Sequence, residues 1–565
     1  MNLLNIKFFP ILVFLFFLFS NSILFSQNFT RQDTLRGSIT PQRIWWDLTY
    51  YHLDISVNPE NQSIEGSNTI NYRVLHPNDE IQIDLQDPLK INKVIQDGKE
   101  LNFRSEGYSH FIKLKKKQKN GQIKSIKVFY EGKPKVAVRP PWDGGITWTK
   151  DSNNNHFVAS SNQGIGASIW WPNKDHMYDE VDSMLISVNV PKNLTNVSNG
   201  RLRSVEDYGE TKTFHWFVSN PINNYGVNIN IGDYVMFSEI YDGEKGDLDM
   251  IYYVLRDNLE RAKTQFKDAI KMMQAFEFWF GPYPFYEDSF KIVEVPYLGM
   301  EHQSSITYGN KYMKGYLGRD LSRTGWGLKF DYIIIHEAGH EWFANNITYK
   351  DIADMWVHES FTTYSENLYL DYHYGKEAAS EYVIGTRSSI ANRSPIIGKY
   401  GVNKRGSDLY SKGANILHTL RQITANDEKW RSILRGLNKE FYHQTVTTKQ
   451  IENYILNRIG VKIGNDGVVN RFFDQYLRDS SIPVFEYTID CSDINNNCKM
   501  GYEWGNVVEN FKMPIEVIID GKNTFLFADD KMKWLEIDYK NHIYKNTMKS
   551  PVKINDNYYV FSRKY

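Results

Sequence analysis

The sequence predicts a multidomain protein of mixed α+β class, with a large N-terminal β domain, an α-rich domain and a small C-terminal β domain. Three observations carry this prediction. At 565 residues the chain is too long for a single hydrophobic core. Apolar and polar residues alternate from about residue 45 to 240, with the period of two that is typical of β strands. Helical spacing begins near Asp257 and continues to about Leu477.

Residues 1–27 have the pattern of a signal peptide. Lys7 supplies the positive charge, and the apolar run from residue 8 to 19 is short for a membrane span. Small residues follow, so we expect cleavage near Ser22 or Ser26. The alternative is an uncleaved anchor that extends to Phe25. We therefore expect an exported protein, periplasmic or extracellular, with no transmembrane span in the mature chain.

The N-terminal β domain is predicted over residues 28–245. Residues 51–57 alternate, residues 58–61 form a turn around a proline, and residues 64–74 alternate again. The net charge of −1 gives no support for a nucleic acid or an anionic membrane as a partner. We expect antiparallel sheets here and no nucleic-acid binding anywhere in the chain.

An α-rich domain is predicted over residues 246–480. Apolar residues recur at helical spacing from residue 259 to 273, and a single strand is predicted over residues 290–295. Further helices are predicted around residues 416–423 and after Thr448. The predicted strand therefore precedes the segment of the chain that carries the metal-binding pattern described below.

The C-terminal β domain is predicted over residues 481–565. Residues 515–519 and 524–527 flank an Asp-Gly pair, which is a hairpin signal. Cys491 and Cys498 are the two cysteines of the chain, and the three asparagines Asn495–Asn497 between them predict a turn. In an exported protein this spacing favours a disulfide, with two separate thiols as the alternative.

The strongest chemical signal is the run from His336 to His340, which has the pattern His-Glu-x-x-His. On a helix, residues four apart lie on the same face, so both imidazoles can bind one ion. Glu337 is about 100° round the helix from His336, too far to be a third ligand but well placed to hold a water beside the metal. Glu359 can complete a His2Glu set from a second helix, which is a common ligand set for catalytic zinc. The sequence therefore predicts a zinc peptidase.

These residues resemble the aminopeptidase N and leukotriene hydrolase type of zinc metallopeptidase. Residues 336–348 follow the family's zinc helix nearly residue for residue, and residues 356–361 resemble its segment with the third ligand. Residues 298–302 stand where the family has Gly-x-Met-Glu-Asn, and residues 410–413 resemble its Tyr-x-Lys-Gly turn. The resemblance extends from about residue 45 to 565. It implies an N-terminal β saddle, a thermolysin-like catalytic domain with one zinc ion, and a small C-terminal β-sandwich, without the family's long C-terminal helical domain.

The resemblance also implies roles for single residues. Glu337 takes the proton of the attacking water and passes it to the leaving amine. Tyr410 donates a hydrogen bond to the carbonyl oxygen as negative charge develops on it. Glu301 binds the free α-ammonium group of a peptide, and Gly299 with Met300 offers the backbone along which an extended peptide lies.

Two further residues complete the predicted site. Gln163, in a loop of the N-terminal domain that reaches into the family's active site, is expected to assist Glu301. Glu366 lies two helical turns after Glu359 and on the same face, so it is expected to orient a ligand histidine. The alternative for Glu366 is a solvent-facing ion pair.

Three positions depart from the family pattern. Leu298 and His302 replace the outer glycine and asparagine of the motif around Glu301. Ile165 stands where the family usually has Glu or Gln, so we expect one contact to the substrate amine to be missing. His302, like His358, is expected to form part of a pocket wall rather than to bind the metal.

The sequence thus favours an exported zinc aminopeptidase that acts on peptides with a free N-terminus. A thermolysin-like secreted endopeptidase is the first alternative, because it needs the same metal ligands but no residue that binds an amine. The second alternative is a secreted binding protein with a structural metal. The preferred N-terminal residue and the oligomeric state do not follow from the sequence.

Overall fold

The computed structural model describes residues 29–461, 469–491, 498–519, 521–537 and 552–565. The predicted signal peptide and the predicted turn at Asn495–Asn497 lie outside these ranges. Within these ranges, no helix is both long and apolar enough to cross a membrane.

Most helices lie between residues 259 and 477, as the spacing of apolar residues predicts. The helices are α1 (Arg31–Gly37), α2 (Leu259–Gln265), α3 (Lys267–Phe280), α4 (Tyr332–Gly339), α5 (Trp356–Tyr374), α6 (Lys376–Gly385), α7 (Ser411–Thr424), α8 (Asp427–Glu440), α9 (Thr448–Arg458) and α10 (Phe472–Leu477). The two helices that carry the metal-binding pattern, α4 and α5, pack against each other.

The N-terminal region is built from β strands that alternate between buried and exposed residues. Its strands are β1 (Trp46–Asn58), β2 (Ser63–Val74), β3 (Glu80–Asp84), β4 (Lys90–Gln96), β5 (Lys99–Leu101), β6 (Phe103–Glu106), β7 (Ser109–Lys113), β8 (Ile123–Gly132), β9 (Gly145–Lys150), β10 (His156–Ser161), β11 (Ser183–Pro191), β12 (Thr195–Val197), β13 (Arg201–Asp207), β14 (Thr211–Val218) and β15 (Asn230–Gly232). The large sheet has the order β13-β14-β11-β1-β2-β8-β4-β5, with smaller sheets β12-β15-β10-β9 and β3-β7-β6. The predicted hairpin is β1–β2, paired from Trp46 opposite Val74 to Asn58 opposite Ser63.

A second sheet lies beside the helices of residues 259–477, and the two together, residues 234–477, are called the catalytic region below because the predicted metal site falls within them. Its strands are β16 (Tyr234–Gly243), β17 (Gly246–Leu255), β18 (Phe290–Glu294), β19 (Gly299–Met300) and β20 (Ile306–Tyr308), in the order β16-β17-β18-β20-β19. Farther along the chain, β21 (Ile347–Tyr349) pairs in parallel with β22 (Gln444–Val446). The predicted domain boundary at residue 245 falls in the turn between β16 and β17, so by sheet membership this region begins at Tyr234.

Two facing sheets form the C-terminal region. Its strands are β23 (Val484–Cys491), β24 (Cys498–Gly505), β25 (Lys512–Ile519), β26 (Lys522–Asp529), β27 (Lys533–Ile537), β28 (Val552–Ile554) and β29 (Phe561–Lys564), in sheets β27-β24-β23-β29 and β26-β25-β28. The hairpin predicted from residues 515–527 is β25–β26. Cys498 is disulfide-bonded, and the backbone of Cys491, the chain's other cysteine, lies directly opposite it.

The C-terminal region supports the helix that follows Tyr410. One hydrophobic core continues from the catalytic region into the C-terminal sheets, and α7 packs against β25. The backbone N–H of Tyr559 donates to Thr419 Oγ1 at 2.9 Å, and His418 Nε2 lies 2.8 Å from Asn557 Oδ1. These contacts hold the second half of α7, the helix whose N-terminus directly follows Tyr410.

Candidate active site

The metal-binding pattern begins on a helix that is firmly anchored at its N-terminus. The carboxylate of Asp331 accepts hydrogen bonds from the backbone N–H groups of Ile333 and Ile334, which caps α4. The apolar run of residues 333–335 is buried, so this helix enters the core. Gly339 allows a close approach, because a Cβ there would lie 2.5 Å from Ser365 Oγ on α5. The glycine inside the motif therefore lets α5 come near enough to supply a third ligand.

The three predicted ligands converge. His336, His340 and Glu359 are all buried, and one ligand atom from each lies within 4.8 Å of the others. Glu359 Oε2 is 3.5 Å from His340 Nε2 and 3.9 Å from His336 Nε2. Two imidazoles and a carboxylate at this spacing fit the ligand set of a catalytic zinc ion.

Partners on the far side of each imidazole orient it toward this cluster. His336 Nδ1 lies 2.7 Å from Glu366 Oε1, and the Tyr382 hydroxyl donates to the other oxygen of that carboxylate at 2.5 Å. His340 Nδ1 lies 3.1 Å from the carbonyl oxygen of Phe343 and 3.0 Å from Thr362 Oγ1. With hydrogen on each Nδ1, both Nε2 lone pairs are free to bind a metal. Glu366 thus contacts the predicted ligand His336 and does not face solvent.

The backbone geometry after α4 provides one of these partners. Residues 341–346 form a wide turn in which Phe343 and Ala344 leave the helical conformation. The Phe343 carbonyl can therefore point back at the His340 side chain, whereas a continuing helix would have used it within its own hydrogen-bond ladder. His340 is accordingly the C-terminal cap of α4 and not a residue of its interior.

Three carboxyl groups are buried together in the site. Glu301, Glu337 and Glu359 are 2%, 8% and 2% exposed. Burial raises the pKa of all three, that of Glu337 to about 7, and repulsion by Glu359 adds to the rise at Glu301 and Glu337. Among the described residues, no Lys or Arg forms an ion pair with any of them, so their charge is balanced by bound protons or by cationic ligands.

Gln163 links two of these acids. Its Nε2 donates to Glu301 Oε1 at 2.5 Å and to Glu359 Oε1 at 3.0 Å. The loop that carries Gln163 therefore reaches the metal cluster from the N-terminal domain. The neighbouring Ile165 packs against that domain's core, and its methyl carbon fills the space beside Gly144. Gln163 thus makes the contact between this loop and the acids, while Ile165 packs within the N-terminal domain.

Glu301 follows a strand at the edge of the catalytic sheet. In β19, Gly299 pairs with Tyr308 and Met300 with Thr307, which leaves the other edge of β19 open. A Cβ on Gly299 would lie 2.6 Å from Ile333 Cγ2 and 3.0 Å from the Thr307 carbonyl oxygen, so only glycine fits between this strand and α4. The close approach brings the edge of β19 beside Glu337.

Tyr410 immediately precedes α7 and faces the metal-binding residues. Its ring centroid is 6.1 Å from that of His336, and its side chain is 37% exposed. Burial and the charge of Glu359 raise the pKa of Tyr410 well above its usual value, so the hydroxyl keeps its proton and can act as a hydrogen-bond donor. Arg405 Nη1 lies 3.5 Å from the same hydroxyl.

The two other histidines near the motifs stay outside the metal cluster. His302 is fully buried, which lowers its pKa to about 3, and its Nδ1 lies 3.4 Å from Thr307 Oγ1. His358 Nε2 accepts a hydrogen bond from the Tyr349 backbone at 2.8 Å. Leu298 packs against the core of the catalytic region. Sequence reasoning missed Arg405, Thr362 and Tyr382, none of which belongs to a recognisable spacing pattern.

Comparisons with known proteins show the family. A model described as "Peptidase family M1 domain" matches residues 264–476, and one described as "Peptidase M1 N-terminal domain" matches residues 48–225. Together they cover more than two thirds of the chain. The chain belongs to the M1 peptidase family. This membership confirms the resemblance that the motifs indicate.

Relatives and solved structures agree with this assignment. The chain is 23% identical to "Probable aminopeptidase 2" of Sulfurisphaera tokodaii, over 78% of this chain and 57% of that protein. It is 21% identical to "Leukotriene A-4 hydrolase" of Xenopus laevis, over 82% of this chain and 76% of that protein. The crystal structure of an M1 zinc metallopeptidase from Deinococcus radiodurans matches with a TM-score of 0.64 and 19% identity, over 76% and 94% of the two chains. The chain spans a little over half the length of the first of these relatives, and the structural match confirms the predicted α+β architecture.

Proposed function

We propose that this protein is an exported zinc-dependent aminopeptidase that removes N-terminal residues from peptides. The observation that carries the proposal is the position of Glu301. A ligand atom of Glu301 lies within 4.8 Å of ligand atoms of Glu337 and His340, and the carboxyl group has no cationic partner among the described residues. A peptide whose α-ammonium group binds Glu301 would therefore place its first peptide bond at the metal.

His336, His340 and Glu359 would hold the zinc ion, and their surroundings fit it. When bound, zinc polarises the scissile carbonyl and lowers the pKa of a coordinated water. Glu337 follows His336 in sequence and remains free to act on protons. It takes the proton of the attacking water and delivers it to the nitrogen of the leaving amine.

Tyr410 supplies the second polar contact to the reacting carbonyl. Its protonated hydroxyl donates to the carbonyl oxygen as negative charge develops on it, a type of contact that is worth about 10²–10³ in kcat. The C-terminal region fixes α7, so this donor is held in place before the substrate arrives.

An extended peptide fits the open edge of β19. Main-chain groups of Gly299 and Met300 can pair with the substrate backbone as an added strand. Gln163 would narrow this groove, because its side chain bridges Glu301 and Glu359 within the site. A thermolysin-like endopeptidase needs a groove that continues past this point, so the contact of Gln163 favours exopeptidase action.

The N-terminal apolar run and the disulfide at Cys498 support export, since disulfides persist in oxidising compartments. Expression of the full chain followed by mass determination of the mature N-terminus tests this. A new N-terminus near residue 23 or 27 is expected. A full-length, membrane-retained product would support the anchor instead.

Hydrolysis of one peptide with a free and with an acetylated N-terminus tests the aminopeptidase assignment. Acetylation removes the charge that Glu301 binds, and two unit charges about 4 Å apart at an effective dielectric constant near 20 attract by about 4 kcal/mol. We expect kcat/KM to fall by about a hundred- to a thousandfold. Glu301→Ala should lose a similar amount on the free peptide and distinguish poorly between the two. Equal cleavage of both by the wild type, or internal cuts in the acetylated peptide, would favour the endopeptidase.

A further inference from the structure

Arg405 is a cation beside the candidate catalytic tyrosine that has no role in the reaction described above. Its Nη1 atom lies 3.5 Å from Tyr410 Oη, and the residue is exposed. Within the described part of the chain, no carboxylate lies at ion-pair distance from its guanidinium group. Apart from the N–H that points at Tyr410, the N–H donors of this guanidinium group are therefore available to a ligand beside the predicted catalytic tyrosine.

The surroundings of Arg405 keep it charged. The surrounding protein partly desolvates the guanidinium group of this surface residue, which lowers its pKa, but the Tyr410 hydroxyl and the charge of Glu359 raise that pKa above its usual value. Glu359 cannot serve as its lasting partner, because this carboxylate belongs to the metal cluster and accepts a hydrogen bond from Gln163. The cation thus faces the site without a neutralising group of its own.

The loop that carries Arg405 is held in place from several sides. The backbone N–H of Asn403 donates to the carbonyl oxygen of Asp33 at 3.1 Å, and its side-chain amide donates to the Gly164 carbonyl oxygen at 3.3 Å. The N–H of Gly398 donates to the Ala353 carbonyl oxygen at 3.0 Å. A Cβ on Gly406 would lie only 1.7 Å from the carbonyl oxygen of Ile396, so the two arms of the loop are closely packed. A tethered loop reduces the entropy lost when its side chain binds a ligand.

We propose that Arg405 is a specificity-determining residue that binds a carboxylate group of the peptide substrate. This inference rests on the proposed aminopeptidase function. The three buried acids of the site repel a substrate carboxylate, so a substrate that has one near the reacting bond needs a cation there. A guanidinium group meets a carboxylate with two parallel hydrogen bonds, a geometry that a carbonyl oxygen alone cannot use. The carboxylate comes either from the side chain of an N-terminal Asp or Glu, or from the C-terminus of a dipeptide.

Two matched substrate pairs distinguish these sources. The first pair is the p-nitroanilides of Glu and Gln, and the second is Leu-Gly and its C-terminal amide. In Arg405→Gln, we expect kcat/KM for the charged member of one pair to fall about ten- to a hundredfold more than for its neutral partner, as for the loss of a hydrogen-bonded charge. The pair that responds identifies the carboxylate. Arg405→Lys should restore part of this selectivity, because it retains the charge but not the fork of donors.

Lys404→Gln is the matched control, since it removes one positive charge from the neighbouring exposed position of the same loop. It should keep the wild-type ratio within each pair. An equal loss by Arg405→Gln on all four substrates would overturn the proposal, because it would show that Arg405 serves Tyr410 alone. Unaltered ratios in both pairs would overturn it as well. A wild-type protein that cleaves none of the four substrates would instead refute the aminopeptidase function itself, and with it this inference.

Discussion

Replacement of Glu366 tests the metal site without reference to activity. Its carboxylate lies 2.7 Å from His336 Nδ1, and the other oxygen accepts from Tyr382. Glu366→Gln keeps an acceptor for the Nδ1 hydrogen and a partner for the tyrosine, but it removes the negative charge. Glu366→Ala removes the hydrogen bond as well. The two variants therefore separate the electrostatic contribution to zinc binding from the orientation of the ring.

The observed contacts and the typical strength of such contacts indicate how much each variant should weaken zinc binding. Hydrogen bonds to charged groups contribute about 1.5–3 kcal/mol, which corresponds to about 10- to 150-fold in an equilibrium constant. Loss of a residue that orients a ligand histidine typically weakens metal affinity about 10- to 100-fold. We expect Glu366→Ala near the upper end of that range and Glu366→Gln near tenfold. Thr362→Val should cost less, because Thr362 contacts His340 Nδ1 as a neutral group at 3.0 Å and the Phe343 carbonyl oxygen remains.

Competition for zinc with a chromophoric chelator at fixed pH measures these affinities directly. Thermal unfolding of the metal-free proteins provides the control, because a variant that is destabilised without metal would lose zinc for another reason. Wild-type affinity in Glu366→Ala would refute the argument that this carboxylate orients His336. A greater loss in Thr362→Val than in Glu366→Ala would refute the order derived from charge.

Two further predictions concern the chemical step. Glu337→Gln should retain zinc while kcat falls about 10²–10⁴-fold, as for the loss of a general base, whereas His340→Ala should lose the metal. Measurement of zinc content and kcat in both proteins checks this, and loss of zinc from Glu337→Gln would contradict the assignment of Glu337 as the base. Tyr410→Phe removes one hydroxyl and almost no volume, so kcat should fall about 10²–10³-fold with little change in KM. A kcat near that of the wild type would show that Tyr410 has only a structural role.

The convergence of the two histidines could be predicted because the information for it is local. His336 and His340 are four residues apart on one helix, and this spacing fixes their relative position before any tertiary packing is known. The seven-residue spacing between Glu359 and Glu366 likewise indicates that both lie on one face of α5. The spacing alone does not show whether the partner of Glu366 is a histidine or solvent. That decision depends on the approach of α4, which Gly339 allows.

The remaining parts of the site depend on contacts between distant segments. Gln163 is separated by 138 residues from Glu301 and by 196 from Glu359, so no spacing rule indicates that one amide donates to both carboxylates. Arg405 lies on an irregular loop without periodicity. The sequence also did not show that β16 and β17 join the sheet of the catalytic region. Alternation predicts a hairpin, but it does not show which sheet the hairpin joins.

The charges of the site account for the substrate chemistry proposed here. Glu301, Glu337 and Glu359 bring three acids into one buried space, and protonation or compensating positive charge must offset their mutual repulsion. Zinc compensates part of it, and the α-ammonium group of a peptide compensates more. Substrate binding thus relieves repulsion that already exists in the free protein, and a blocked N-terminus forfeits this gain. The same acids repel substrate carboxylates, and Arg405 is the described cation positioned to reverse that repulsion next to Tyr410. The three acids thus explain the proposed selectivity for a substrate with a free α-ammonium group, and Arg405 explains how the same site could tolerate a substrate carboxylate.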